Sequence, residues 1–215
     1  MKEDAILFDI LLTMRDIYFD ELKSVFAKNN KKLYIVGGSS RDLLLGKEYS
    51  DHDFVTDATP SELKSFLREA DYTFAKFGSV KIRLNGQEID ITTLREEGEY
   101  LDYRHPSYIK FIKDLETDSK RRDFTINAIY LDADYNVVDF HEGLNDLREK
   151  KIRFIGDPKK RIEEDPLRIM RAYRFAKTLG FEIEEKSLRA LEENKDLLNK
   201  LNPAKIIEEK KKESR

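Results

Sequence analysis

Two stretches of the chain hold residues whose types and spacing suit phosphate and metal chemistry. The first is Gly37-Gly38-Ser39-Ser40-Arg41-Asp42, followed closely by Asp51-His52-Asp53. The second is Arg121-Arg122-Asp123-Phe124-Thr125-Ile126-Asn127-Ala128. A Gly-Gly turn offers bare backbone N–H groups to phosphate oxygens, and a helix opening just after it adds its positive end. Arg41 then supplies a bidentate donor for phosphate charge. Side chains alternate along a strand, so Asp51 and Asp53 share a face, about 6–7 Å apart along the chain. Two such carboxylates can converge on divalent cations. Paired metals about 3.5–4 Å apart stabilise both the attacking and the leaving oxygen in phosphoryl chemistry. Magnesium is the expected ion, because it favours carboxylates together with substrate phosphates. Asp90, on a neighbouring strand, would complete the carboxylate trio.

The remaining polar clusters point to a nucleotide. Arg121, Arg122, Asp123 and Asn127 pair phosphate donors with an acceptor for a ribose hydroxyl. Read structurally, the same residues form a helix start with Asp123 as its cap. Glu164-Asp165-Pro166-Leu167-Arg168, continuing to Arg171 and Arg174, reads as an N-cap followed by proline at the first helical position. Asp165 and Arg168 lie three apart and can present an acceptor beside a donor. Cytosine and adenine carry an amino group beside a ring-nitrogen acceptor, whereas uracil and guanine carry a carbonyl beside an N–H. An Asp/Arg pair therefore accepts C and A and leaves unmet polar groups against U and G. His52, His105 and His141 form no metal pair at helical spacing; His52 faces away from the carboxylates, and all three are read as non-ligands.

The elements that must position these groups follow from periodicity. Residues 3–28 read as one amphipathic helix through Ile6, Ile10, Met14, Ile17, Leu22 and Val25. Leu33 to Val36 is a buried strand ending at the glycines, and Arg41 to Leu45 is a short helix stopped by Gly46. A strand over 52–56 is followed by Thr59 as N-cap and Pro60 at the first position of a helix to about Ala70. Val80, Ile82 and Leu84 alternate, Asn85-Gly86 makes a type I′ turn, and the return strand runs from Gln87 to Leu94 with Asp90 on its polar side. Residues 96–118, including Arg104 and Pro106, read as a long irregular connection of functional type. A helix over Phe124 to Ile129 and a strand pair around 134–136 come next. From Leu144 the pattern is wholly helical, and the last eight residues are almost all charged.

Composition bounds the class of protein. The 215 residues include 40 Lys and Arg against 43 Asp and Glu, a net charge of −3, which is not the basic balance of a dedicated nucleic-acid binder. With no cysteine there is neither a disulfide nor a Cys-based zinc site. No apolar run approaches the roughly 18 residues of a membrane span, and no signal segment opens the chain. The expectation is a soluble cytoplasmic protein without a membrane partner.

The motif order Gly37-Gly38-x-x-Arg41-Asp42, Asp51-x-Asp53, Ile89-Asp90-Ile91, Arg121-Arg122-Asp123-Phe124-Thr125-Ile126-Asn127-Ala128 and Glu164-Asp165-Pro166-Leu167-Arg168 closely resembles the class II tRNA nucleotidyltransferase and bacterial poly(A) polymerase family, over about residues 33–190. The resemblance implies an α+β architecture: an N-terminal helix (1–30), a nucleotidyltransferase head with a mixed sheet (31–143) and a helical neck (144–215). It implies Mg²⁺ on Asp51 and Asp53, Asp90 as third carboxylate, and Asp165 and Arg168 reading the base of CTP or ATP. It further implies a flexible loop at 96–118 that helps switch specificity from C to A, and a head–neck junction near Asp139 and Gly143. Family members continue into body and tail domains that hold tRNA, so a missing body and tail or an oligomer partner is expected here. The expected function is addition of C and A to the tRNA 3′ end. An A-adding enzyme, a CC-adding enzyme, a poly(A) polymerase and a non-catalytic nucleotide- or RNA-binding module stay open as alternatives.

Overall fold

The structure, a computed structural model, describes residues 14–100 and 105–212. Two compact units emerge among the described residues: one from Met1–Glu96 with Lys110–Ser119 and Asn127–Phe140, the other from Glu97–Ile109, Lys120–Ile126 and His141–Arg215. The chain is α+β, with a mixed sheet in the first unit and mostly helices in the second.

The first unit opens with α1 (Ile17–Lys28). The single helix expected over 3–28 does not extend back through Met14–Asp16: Asp16 is extended, and its carboxylate caps the amides of Tyr18 and Phe19, starting the helix there. Ile6 and Ile10 lie outside the described residues. The buried stripe is Phe19, Leu22 and Phe26, and Phe19 packs edge-on against Phe54 at 5.2 Å. β1 (Leu33–Ile35) leads into α2 (Gly37–Leu44), which begins at the glycine pair rather than at Arg41. β2 (His52–Thr56) occupies the expected span. α3 (Pro60–Phe66) starts on a capping box in which the Thr59 hydroxyl and the Glu62 carboxylate each accept from the other's backbone N–H. It stops short of Ala70, at the C-cap Leu67. β3 (Ser79–Leu84) and β4 (Gln87–Thr93) form the hairpin, with Asn85 and Gly86 at φ 50° and 84° as a type I′ turn requires.

The segment expected to be irregular instead carries β5 (Arg95–Glu97), β6 (Ile109–Phe111) and α4 (Leu115–Lys120), with β5 and β6 pairing as a separate ladder. Arg104 lies outside the described residues. The helix expected over Phe124 to Ile129 is also replaced. Residues Thr125–Asn127 make one 3₁₀ turn, and β7 (Ile129–Leu131) follows as a strand that pairs with β8 (Val137–Asp139). All three residues of β7 are buried. A strand covered on both faces loses its alternation, so its periodicity cannot be told from that of a buried helix.

The sheet order is β3-β4-β2-β1-β7-β8. β2 runs parallel to β4, and the other neighbours are antiparallel. Val36, Val55, Leu94 and Tyr130 form a buried cluster, with Tyr34, Ile112, Leu115 and Val138 against it.

The second unit contains α5 (Gly143–Arg148), β9 (Lys151–Ile152), α6 (Pro158–Glu164), α7 (Leu167–Leu179), β10 (Glu182–Ile183), α8 (Glu185–Glu193) and α9 (Pro203–Lys211). It is not wholly helical as expected: β9 and β10 form a parallel pair, and two-residue strands are too short to carry a period. The Phe124 ring meets Phe154 and Phe175 in this unit's core. None of the described helices is long and apolar enough to cross a membrane.

Candidate active site

In the first unit, strand pairing brings two of the predicted carboxylates together. Asp53 of β2 is the register partner of Asp90 of β4. Continuing across the hairpin, Asp90 faces Lys81 of β3. The Lys81 ammonium lies 3.4 Å from Asp90 and also pairs with Glu88. Burial pushes the Asp90 carboxyl above the usual carboxylate range; Lys81 pulls it down, while Glu88 and Asp51 push it further up. Asp51 is exposed and sits one residue before β2, so it flanks the strand. The buried Ser39 hydroxyl fixes this stretch from the α2 side. It donates to the Asp51 carbonyl (2.7 Å) and accepts from the Asp53 N–H (2.8 Å).

The glycine pair lies directly over the carboxylate. Gly37 has φ +72°, and a Cβ there would stand 3.3 Å from Asp53 Oδ2; at Gly38 the nearest atom to such a Cβ would be Arg41 Nη2, at 3.6 Å. Only glycine takes this conformation without strain and without a Cβ pressed against Asp53. Arg41 is buried. Its Nε and Nη2 donate to the Asp42 carboxylate at 2.8 and 2.7 Å, and Nη1 donates to Asn127 Oδ1 at 2.9 Å. The predicted Arg41 and Asn127 therefore meet in one network.

His52 points away from the carboxylates, as expected: its Nδ1 lies 2.7 Å from Asp16 Oδ2. Among the described residues no three His, Cys, Asp or Glu side chains converge as a ready-made metal cage. A small, hard divalent cation does not require one, because it binds through one or two carboxylates plus substrate phosphates. Asp53 and Asp90, register partners on β2 and β4, with the flanking Asp51, are all-oxygen donors of the kind such an ion takes.

The second unit gathers the other predicted residues. Asp123 is no helix cap: its Oδ1 accepts from the Phe124 N–H, and Oδ2 accepts from Arg171 Nε at 2.7 Å within an ion pair. Burial alone would raise the Asp123 carboxyl, but the positive Arg171, the Phe124 N–H and Arg168 outweigh it and hold the group at about 2. Arg121 pairs with Glu97 at 3.5 Å. Asp165 ends α6, and its Oδ1 accepts from the Leu167 N–H. Arg168 is buried and bonds to Glu164 (2.9 Å) and the Arg161 carbonyl (2.6 Å). Arg174 pairs with Glu209 at 2.8 Å and lies over the Phe175 ring.

Three contributors escape a reading of the sequence: Ser39, Lys81 and Arg161. Arg161 Nη2 donates to the carbonyls of Arg121 and Arg122 at 2.5 and 2.7 Å, bracing the backbone that carries Asp123. Its signal is the i, i+3, i+4 spacing of Pro158, Arg161 and Ile162, which are the buried residues of α6.

Comparison with known proteins gives consistent matches. Residues 33–153 match the model of the poly A polymerase head domain. The CCA-adding enzyme of Lactobacillus helveticus is 42% identical over 203 residues, covering 90% of this chain and 51% of that protein. The solved Bacillus stearothermophilus CCA-adding enzyme in complex with CTP superposes with a TM-score of 0.83 at 31% identity, covering 93% of this chain and 49% of that one. The Thermotoga maritima CCA-adding enzyme complexed with tRNA-CCA gives a TM-score of 0.68 at 28% identity, over 87% of this chain and 44% of that one. The chain thus spans about half the length of the relatives it matches.

Proposed function

The chain belongs to the poly A polymerase head-domain family, and from that premise we propose that it is the nucleotidyl-transfer part of an enzyme that adds C and A to the tRNA 3′ end from CTP and ATP without a nucleic-acid template. The observation that carries this reading is the pairing of Asp53 with Asp90 across β2 and β4, with Gly37 close against Asp53.

The triphosphate lies along the N–H groups at the start of α2, with Arg41 offsetting its charge. Asp51 and Asp53 would hold Mg²⁺, which would offset charge on the reacting phosphate and make the attacking hydroxyl more acidic. The primer's 3′-oxygen bonds to the α-phosphorus as the bridging α–β P–O bond breaks. Pyrophosphate leaves, and the hydroxyl proton passes to Asp90, the carboxylate beside Asp53 on the neighbouring strand. Positioning and charge stabilisation supply the catalysis. Arg121, Asp123, Asn127 and Arg171 order the nucleotide's surroundings. Asp165 and Arg168 read the base, with Arg168 held in one orientation by Glu164 and the Arg161 carbonyl. Arg174, engaged by Glu209, steadies the same helix.

Labelled CTP and ATP, offered separately and together to tRNAs ending in N, NC and NCC, test the reading. C added to the first two, A to the third, and a stop at CCA are expected. A on NCC alone defines an A-adding enzyme, C alone a CC-adding enzyme, and unlimited A tails a poly(A) polymerase. Binding of CTP with no turnover identifies a nucleotide-binding module. Asp53→Ala is expected to abolish incorporation without unfolding the chain.

A further inference from the structure

The residues around Asp51 are held from a side that the nucleotide chemistry does not use. Asp16, 4% exposed, precedes α1 and lies outside the residues matched to the family. Its Oδ1 caps the helix by accepting from the Tyr18 and Phe19 amides, both at 2.9 Å. Its Oδ2 does something a cap does not need: it accepts from the Tyr49 hydroxyl at 2.8 Å and meets His52 Nδ1 at 2.7 Å. Tyr49 and His52 stand on either side of Asp51 in the chain. The Tyr18 and Tyr49 rings pack on His52 with centroids 4.7 and 5.3 Å away. Asp16 is itself fixed, since the Tyr135 hydroxyl lies 3.1 Å from its backbone nitrogen. Between the two anchored side chains, Gln87 Nε2 donates to the Ser50 carbonyl at 2.6 Å, and Ser39 holds the Asp51 carbonyl.

We infer that Asp16 is a positioning residue for the cation site: by gripping Tyr49 and His52 with one oxygen, it fixes the arc from which the Asp51 carboxylate projects. The inference rests on the reading of Asp51 as a cation ligand. Partners one layer behind a metal ligand orient it, and their loss typically weakens metal binding by about 10–100-fold. One carboxylate thereby couples the start of α1 to the geometry of the site.

Asp16→Ser separates the two roles. Serine caps helices well, so α1 keeps its start, but its side chain is too short to reach Tyr49 and His52. Tyr49→Phe removes one donor and leaves the cap and His52 in place. The measurement is Mn²⁺ binding to the full chain in the presence of a non-incorporable CTP analogue, followed by electron paramagnetic resonance of free Mn²⁺, with melting curves alongside. Asp16→Ser is expected to weaken Mn²⁺ binding about tenfold at a near-unchanged melting temperature, and Tyr49→Phe to weaken it less, in the same direction. If Asp16→Ser does not fold, Tyr49→Phe carries the test alone. Wild-type affinity in every folded variant overturns the inference and leaves the functional reading standing. Failure of the wild-type chain to bind Mn²⁺ at all removes the functional reading, and the inference with it.

Discussion

Replacing Asp123 by Asn keeps the shape of the side chain and removes its charge. The amide oxygen can still accept from the Phe124 N–H, but the atom facing Arg171 becomes a donor and opposes the guanidinium. Holding this carboxyl at about 2 rather than at the ordinary 3.8 corresponds to about 2 kcal/mol of stability at neutral pH. Breaking a buried pair from one side typically costs about 3–5 kcal/mol. The Arg171 side chain is 33% exposed, so water can solvate it once it is abandoned, and the low end applies. Urea denaturation at pH 7 should therefore show Asp123→Asn less stable by about 2–3 kcal/mol. The folded-state pKa lies below the unfolded one, so the carboxylate's contribution is complete above the ordinary 3.8 and is lost as pH falls toward 2. The gap between wild type and variant should stay constant from pH 8 to 5 and close below about pH 4. A gap under about 0.5 kcal/mol at pH 7, or one that already narrows between pH 7 and 5, refutes the assignment of this ion pair as a stabilising element.

Three further substitutions probe single features. Gly37→Ala should cost about 1–2 kcal/mol, because φ is +72° and the new Cβ crowds Asp53; steady-state incorporation should fall at least tenfold and by more than in Gly38→Ala. Thr59→Ala removes half of the capping box and should cost about 1 kcal/mol by urea denaturation, without changing the apparent KM for CTP. Tyr130→Phe deletes the hydroxyl that donates at 2.8 Å to the fully buried Asp118, and thermal melting should register a loss of about 1–3 kcal/mol.

Local chemistry made much of this fold legible. Asn85-Gly86 sets the hairpin turn, and the alternation of the return strand puts Asp90 on its polar side. Thr59-Pro60 and the span of β2 follow equally from neighbouring residues. Long-range contacts supply the remainder. Nothing near Asp53 in sequence announces that β4 will lie parallel beside it. Arg161 follows Lys159 and Lys160 yet is buried, and its partners, the carbonyls of Arg121 and Arg122 that accept its hydrogen bonds, lie far away in sequence. Asp16 falls inside the single helix expected over 3–28, but its carboxylate caps the Tyr18 and Phe19 amides so that α1 starts there, and its second oxygen meets Tyr49 and His52.

The placement of β1 has a consequence for synthesis of the chain. This three-residue strand lies inside the sheet, with β2 on one side and β7 on the other, and Ile35 meets Leu131. As the chain emerges from a ribosome, β1 to β4 can associate once residue 93 is free, and Asp53 and Asp90 then meet early. The opposite edge of β1 stays uncapped until β7 arrives. The Asn127 acceptor for Arg41 and the Ile129 carbonyl that receives the Ser40 hydroxyl at 2.7 Å arrive with it. The carboxylate pair is thus available before the glycine turn is locked above it, and the interval leaves an open strand edge, the feature most prone to pairing with another nascent chain. Pausing of translation within that interval should favour aggregation over pausing after it.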